Sequence, residues 1–270
     1  MKLAFIGGGN MARAIIGGLV ARGTRASDIG VVEPDNVARL KLMSDLGVST
    51  YEKPEAALSD ARTVVFAVKP QQMREAAQAA APFVAGALVL TIAAGVRSEA
   101  LARWLGRTGR IVRAMPNMPA LVHAGITGLF AAQDVGVADR EAAEALLGAV
   151  GAVLWFDEEG DLDAVTAVSG SGPAYVFYAI EALEEAARSL GLAEGASRSL
   201  ALWTFVGAAK LAVERGEDPA RLRAQVTSKG GTTERALEVL ERGEVKRIFV
   251  EAVRAACERS RELGSASGKD

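Results

Sequence analysis

Six residues near the N-terminus, Gly7-Gly8-Gly9-Asn10-Met11-Ala12, have the types and the spacing to hold a pyrophosphate. They follow a short apolar run and open an apolar-periodic stretch that ends at Gly23. Strand, G-x-G-x-x-A and helix thus come in the order that a dinucleotide-binding turn needs. Gly7 permits the tight turn, Gly9 lets backbone approach a phosphate, and Ala12 is small enough for helix and sheet to pack closely. Free N–H groups at the helix start then face the anion. Glu33 stands 21 residues past Ala12, at the end of the next apolar run, where a carboxylate can accept hydrogen bonds from an adenosine ribose. Alone it favours NADH, because it would repel a 2′-phosphate. Arg39 offsets that only by reaching back from the following helix.

Other polar groups fall where open α/β sheets bind ligands, beyond the carboxyl ends of strands. Lys69-Pro70 is either a cofactor contact or a snorkelling surface pair. Met115-Pro116-Asn117-Met118-Pro119 is a loop stiffened by two prolines that presents Asn117. In the C-terminal half, Ser169-Gly170-Ser171-Gly172-Pro173 reads as a loop leading into a helix. The run Thr227-Ser228-Lys229-Gly230-Gly231-Thr232-Thr233 brings two glycines and several hydroxyls to a helix start, a small anion pocket suited to a carboxylate. The chain has one histidine, His123, and one cysteine, Cys257, so neither an intrachain disulfide nor a structural zinc site is expected. His123 reads as a surface or packing residue and Cys257 as a small buried hydrophobe. The chemistry is expected to need neither.

The elements that must position these residues follow from periodicity. Nearly continuous apolar runs at 2–6, 29–33, 63–68, 87–92 and 110–115, with later pieces at 125–131 and 153–156, read as strands buried on both faces. Helical patterns at 10–21, 36–45, 71–80, 98–105 and 140–150 alternate with them. Past Phe156 the texture becomes all-helical: one helix ends at Gly191, and others fall at 196–213, 219–225, 234–241 and 245–263. The small, polar tail from Gly264 is expected to fray. The expected fold is α/β: a Rossmann-type doubly wound sheet over 1–157, then an all-α domain over 158–270. Its apolar stripes exceed its expected intrachain contacts and call for a second copy.

Of the 270 residues, 50% are hydrophobic and 24% charged, ample for a real core. The charge of −2 provides no basic field, so no nucleic-acid partner is expected. Residues 76–96 are uncharged, but Gln78, Pro82, Gly86 and Thr91 interrupt them; they read as helix end, turn and buried strand, with no membrane span. The apolar N-terminus is too short for a signal-peptide core, and a cytoplasmic location is expected.

With these pieces in order, the chain resembles pyrroline-5-carboxylate reductase. The matching residues are 5–12, Ala67-Val68-Lys69-Pro70, Ala93-Ala94-Gly95-Val96, Met115-Pro116-Asn117-Met118-Pro119, Val168-Ser169-Gly170-Ser171-Gly172-Pro173-Ala174-Tyr175 and 227–233. The resemblance implies hydride transfer from NADPH or NADH to the C=N carbon of 1-pyrroline-5-carboxylate, giving L-proline. It implies a pyrophosphate loop of Ile6, Gly7, Gly8, Gly9, Asn10 and Met11. Val68, Lys69, Pro70, Ala94, Asn117 and Gln225 become further cofactor contacts, beside Glu33. Ser228, Gly231, Thr232 and Thr233 become the substrate-carboxylate pocket, with the Thr233 hydroxyl close to the ring nitrogen and Thr166 and Ser171 near the reacting centre. A dimer, or a ring of dimers, is implied. The chain departs from the family at Lys229, where proline is common, at Pro54, where asparagine is common, and at Glu33, where NADPH users often have a small polar residue. The alternatives are a β-hydroxyacid dehydrogenase, which would need a lysine on the helix after the Ser-Gly run, and a non-catalytic dinucleotide-sensing module.

Overall fold

Strands β1 (Leu3–Ile6), β2 (Ile29–Val32), β3 (Ser49–Tyr51), β4 (Thr63–Phe66), β5 (Leu88–Thr91), β6 (Ile111–Met115), β7 (Gly125–Ala131) and β8 (Gly151–Phe156) form one sheet in the order β3-β2-β1-β4-β5-β6-β7-β8. This computed structural model describes residues 2–106 and 109–267. Neighbours from β3 through β6 run parallel, β7 is antiparallel to β6, and β8 is parallel to β7. The order reverses between β1 and β4, which opens a crevice past their carboxyl ends. The three-residue β3 was not among the expected strands; it is too short to show a period.

Helices α1 (Asn10–Ala21), α2 (Asn36–Leu46), α3 (Met73–Ala80), α4 (Ser98–Trp104) and α5 (Val137–Leu147) cover the sheet. Side chains alternate across each strand: Phe5 and Val65 pack in one core with Ile15 and Ile16, while Ala4, Ile6, Val64 and Phe66 pack in another with Met73 and Leu101. Burial on both faces is why these strands read as unbroken apolar runs.

The chain groups by contact into two units, one reaching Ser171 and taking back the chain from Ala256, the other spanning Gly172–Ala255. In the first, a polar network surrounds α6 (Asp161–Val165), with Asp163, Arg113 and Ser260 buried. Arg97 donates to Asp163 at 2.6 Å, Ser260 donates to the other Asp163 oxygen at 2.7 Å, and Arg113 donates to Glu159 at 2.9 Å. Burial pulls the Arg113 guanidinium below its ordinary pKa, and Glu159 opposes that shift.

The second unit holds α7 (Gly172–Ser189), α8 (Glu194–Arg215), α9 (Pro219–Gln225), α10 (Thr232–Arg242) and the first half of α11 (Val245–Ser267). Tyr175 meets Phe249 edge to face, with centroids 6.4 Å apart. Yet Tyr178 is 74% exposed, Trp203 73% and Val213 84%, so these helices leave large apolar faces open. The expected fraying at Gly264 does not occur: α11 continues to Ser267, with Gly264 buried near Gly95 and Arg97, and residues 268–270 lie outside the described part. Cys257 is half-buried, less than expected. Among the described residues no helix is long and apolar enough to cross a membrane.

Candidate active site

The turn after β1 requires glycine for steric reasons. Gly7 has φ +100°, and a Cβ there would lie 2.9 Å from the Ala67 carbonyl carbon and oxygen and from Val68 Cγ1. Its N–H donates to the Val32 carbonyl at 2.8 Å, tying the turn to β2. Gly9 then caps α1 in extended conformation, with no side-chain cap and no acidic residue in the first turn. A Cβ on Gly9 would meet no protein atom within 4 Å. Asn10 and Met11 thus begin a helix whose N–H groups face open space, a receptive end for a phosphate.

Ile6, Gly7, Val32, Glu33, Val68 and Gln72 line a cavity of about 540 Å³ beyond the carboxyl ends of β1, β2 and β4. Glu33 is more than a strand-end acid. One carboxylate oxygen accepts from the Gly8 N–H and the other from the Asp35 N–H, both at 3.0 Å. Arg39 does reach back from α2, but to main chain: it donates to the Glu33 and Pro34 carbonyls at 2.8 and 2.7 Å. Lys69 is exposed and, with Pro70, begins a short 3₁₀ turn; Ala94 is half-buried beside Gly95.

Asn117, Thr166 and Ser171 come together around a feature that was expected to be a loop. Residues Thr166–Gly170 form a π-helical turn joining α6 to α7, closed by a 2.8 Å bond from the Ser171 N–H to the Thr166 carbonyl. A Cβ on Gly170 would sit 2.6 Å from Met115 Cε, so glycine lets the turn press against the end of β6. Asn117, 9% exposed, braces the turn: its amide donates to the Ser169 carbonyl at 3.1 Å and its oxygen accepts from the Ile126 N–H at 2.9 Å. The Thr166 hydroxyl donates to the Leu162 carbonyl at 2.7 Å, and Ser169 to that of Val165 at 3.0 Å. With its proton committed, Thr166 is a poor proton donor.

Ser228, Gly231, Thr232, Thr233 and Gln225 belong to the second unit. Gly230, at φ +72°, turns the chain so that Gly231 caps α10 in extended conformation without a side-chain bond. The Gly231 N–H donates to the Ser228 carbonyl at 3.0 Å and the Gly230 N–H to the Glu234 carboxylate at 2.6 Å. Thr232 and Thr233 are the first two residues of the helix, and Thr233 is half-buried. The Gln225 amide donates to Glu217 at 2.9 Å. Sequence reasoning missed Glu234 and Glu217. Glu234 had a signal, an acid three residues after the cap glycine.

A switch-point cleft with an open glycine-capped helix, followed by a helical unit with a second glycine-capped helix start, fits the class of nicotinamide-dependent oxidoreductases. Residues 159–263 match the family model for pyrroline-5-carboxylate reductase dimerisation, and residues 2–95 match that for NADP oxidoreductase coenzyme F420-dependent. The chain is 42% identical to a pyrroline-5-carboxylate reductase of Pseudomonas aeruginosa over 99% of its own length and 98% of that protein's. The structure of a Coxiella burnetii pyrroline-5-carboxylate reductase superposes with a TM-score of 0.93 at 41% identity, covering 97% of this chain and 98% of that one. A Plasmodium falciparum pyrroline carboxylate reductase with NADP bound gives a TM-score of 0.85 at 28% identity, with 98% of each chain covered. The chain belongs to the pyrroline-5-carboxylate reductase family, and NAD(P)H is its cofactor.

Proposed function

We infer that the chain reduces 1-pyrroline-5-carboxylate to L-proline with hydride from NAD(P)H. The observation that carries this reading is the 42% identity along essentially the whole chain, which takes in both receptive helix ends. The cleft suits the cofactor: it has apolar walls at Ile6, Val32 and Val68, an uncapped helix end for the pyrophosphate, and a carboxylate at the ribose position. When bound, reduced nicotinamide supplies the hydride.

We assign the remaining tasks to the chain's own groups. Ile6, Gly7, Gly8, Gly9, Asn10 and Met11 hold the pyrophosphate, Glu33 the ribose, and Val68, Lys69, Pro70, Ala94 and Gln225 further parts of the cofactor. Asn117 acts through the π-helical turn it braces. Ser228, Gly231, Thr232 and Thr233 fix the substrate carboxylate. Hydride adds to the C=N carbon, the π pair moves to nitrogen, and the nitrogen ends as a secondary amine. An imine that enters protonated needs no strong acid. The chain's task is to hold the C=N carbon in near-attack geometry. The Thr233 hydroxyl steadies the nitrogen, while Thr166 and Ser171 shape the reacting centre. Thr233→Val should lower kcat/KM by about 10²-fold or less. Wild-type kcat/KM in both Thr233→Val and Thr233→Ala would remove that role.

The β-hydroxyacid dehydrogenase alternative needs a lysine early in α7, and Gly172-Pro173-Ala174-Tyr175-Val176-Phe177-Tyr178 has none. A non-catalytic sensor would bind cofactor without turnover. Mixing the protein with 1-pyrroline-5-carboxylate and NADH or NADPH, and following nicotinamide absorbance, decides: no turnover with either overturns the reductase reading. We further propose that α7 and α8 bury their exposed faces against a second copy, as a dimer or a ring of dimers in the cytoplasm. Light scattering that finds a monomer would exclude this assembly.

A further inference from the structure

We propose that the adenosine end of this cleft selects the cofactor without a 2′-phosphate, so that the chain takes NADH in preference to NADPH. This preference rests on the reductase reading and deepens it. A 2′-phosphate brings a charge of about −1.5 to −2 at pH 7 and needs donors to receive it. A 2′-hydroxyl needs only an acceptor, and Glu33 is one, pinned at the end of β2 by the N–H groups of Gly8 and Asp35.

The surrounding charge has the wrong sign for a phosphate. Among the described residues, the cavity is lined by the carboxylates of Glu33, Asp35, Glu52 and Glu75 and by a single ammonium, that of Lys53. The groups best placed to offset this are already engaged. Arg39 donates to the Glu33 and Pro34 carbonyls, donates to the Asn36 side-chain oxygen at 3.3 Å, and lies 3.7 Å from the Glu52 carboxylate. Nη1 serves both main-chain carbonyls and Nη2 faces Asn36 and Glu52, so a phosphate at Arg39 would compete with those partners for the guanidinium. The N-terminus of α2 is closed as well, because Asp35 caps it by accepting from the Ala38 N–H at 2.7 Å. The open helix end at Gly9 and the closed one at Asp35 thus divide the cofactor: the pyrophosphate is received, and a second phosphate at the ribose is not.

Calorimetric titration of the intact protein with adenosine diphosphate ribose and with its 2′-phosphorylated form tests this apart from turnover. The 2′-phosphorylated probe should bind at least about tenfold more weakly, with a gap that narrows as salt rises. Glu33→Gln should narrow the gap by improving binding of the phosphorylated probe. Equal or tighter binding of that probe by the wild type overturns the preference and leaves the reductase reading standing. A selective loss of its binding in Arg39→Lys also overturns it, because Arg39 would then be a phosphate ligand. Binding of neither probe overturns the cleft assignment and the preference together.

Discussion

Helices α1 and α10 begin with the same backbone device and load it differently. Each is capped by a glycine in extended conformation, Gly9 at φ −67° and Gly231 at φ −86°, with no side-chain cap. The first turn of α1 carries no acid, and Ala12 seats the helix fully buried against the sheet. The first turn of α10 carries Glu234, whose carboxylate already holds the Gly230 N–H, and α10 has no buried residue. Elsewhere Asp35 caps α2 with its side chain, while α5 also starts from an extended glycine, Gly136, and carries Asp139 in its first turn. Of these three helices that start from an extended glycine, α1 alone lacks an acid in its first turn, and we assign the ends of α1 and α10 to ligands. The rigid one suits a large dianionic pyrophosphate. The exposed one, with an internal carboxylate beside it, suits a small monoanion.

The strongest way to break this contrast is at the rigid end. Gly7→Ala forces a side chain into φ +100° and to within 2.9 Å of the Ala67 backbone. It should cost about 1–3 kcal/mol of stability and abolish measurable cofactor binding, read by thermal unfolding and NADH fluorescence. At the exposed end, Gly231→Ala would place a Cβ 2.5 Å from the Ser228 hydroxyl, a group able to rotate away. KM for 1-pyrroline-5-carboxylate should rise about tenfold with cofactor affinity unchanged. A parallel loss of cofactor affinity would merge the two roles.

The acid in the first turn of α5 sharpens the contrast by its pH response. The Asp139 carboxyl is held below its ordinary pKa of 3.8, first by its hydrogen bond from Arg110, with burial opposing. The folded-state value is depressed, so the stabilisation is full above the unfolded value and is lost as pH falls through the folded one. Arg110 is partly exposed, which limits the effect to about 0.5–1 kcal/mol. Asp139→Asn should lower urea stability at pH 7 by that amount, and the deficit should shrink as pH falls below 3.8. The smallest effect belongs to His123, exposed and in left-handed conformation at φ 57°, which asparagine also adopts readily. His123→Asn should keep kcat within about twofold; a collapse would make the imidazole the proton source.

Much of this was legible in advance, and what was not shares a cause. The β1 turn and α1 follow from six consecutive residues, and α9 and α11 begin at 219 and 245, where the helical pattern placed their starts. The brace made by Asn117 depends on a carbonyl 52 residues away, and the end of α11 on a bond spanning 97 residues, from Ser260 to Asp163. The Ser-Gly run reads as a loop because serine and glycine favour loops; the contact of Gly170 with Met115 and the bond at Ser171 make it a π-helical turn. Arg39 could offset Glu33 only by reaching back from α2. It reaches that position, but it is held by backbone.

The sequence by itself determined the alternation of strands and helices, the glycine-capped helix ends and the family, because periodicity, caps and motifs are written within a few residues of one another. The tertiary structure alone decided the reversed direction of β7, the brace that Asn117 makes with the π-helical turn, the return of α11 to the first unit and the engagement of Arg39. Each of these depends on which distant donor meets which acceptor once the chain is packed, and that pairing has no local period to betray it.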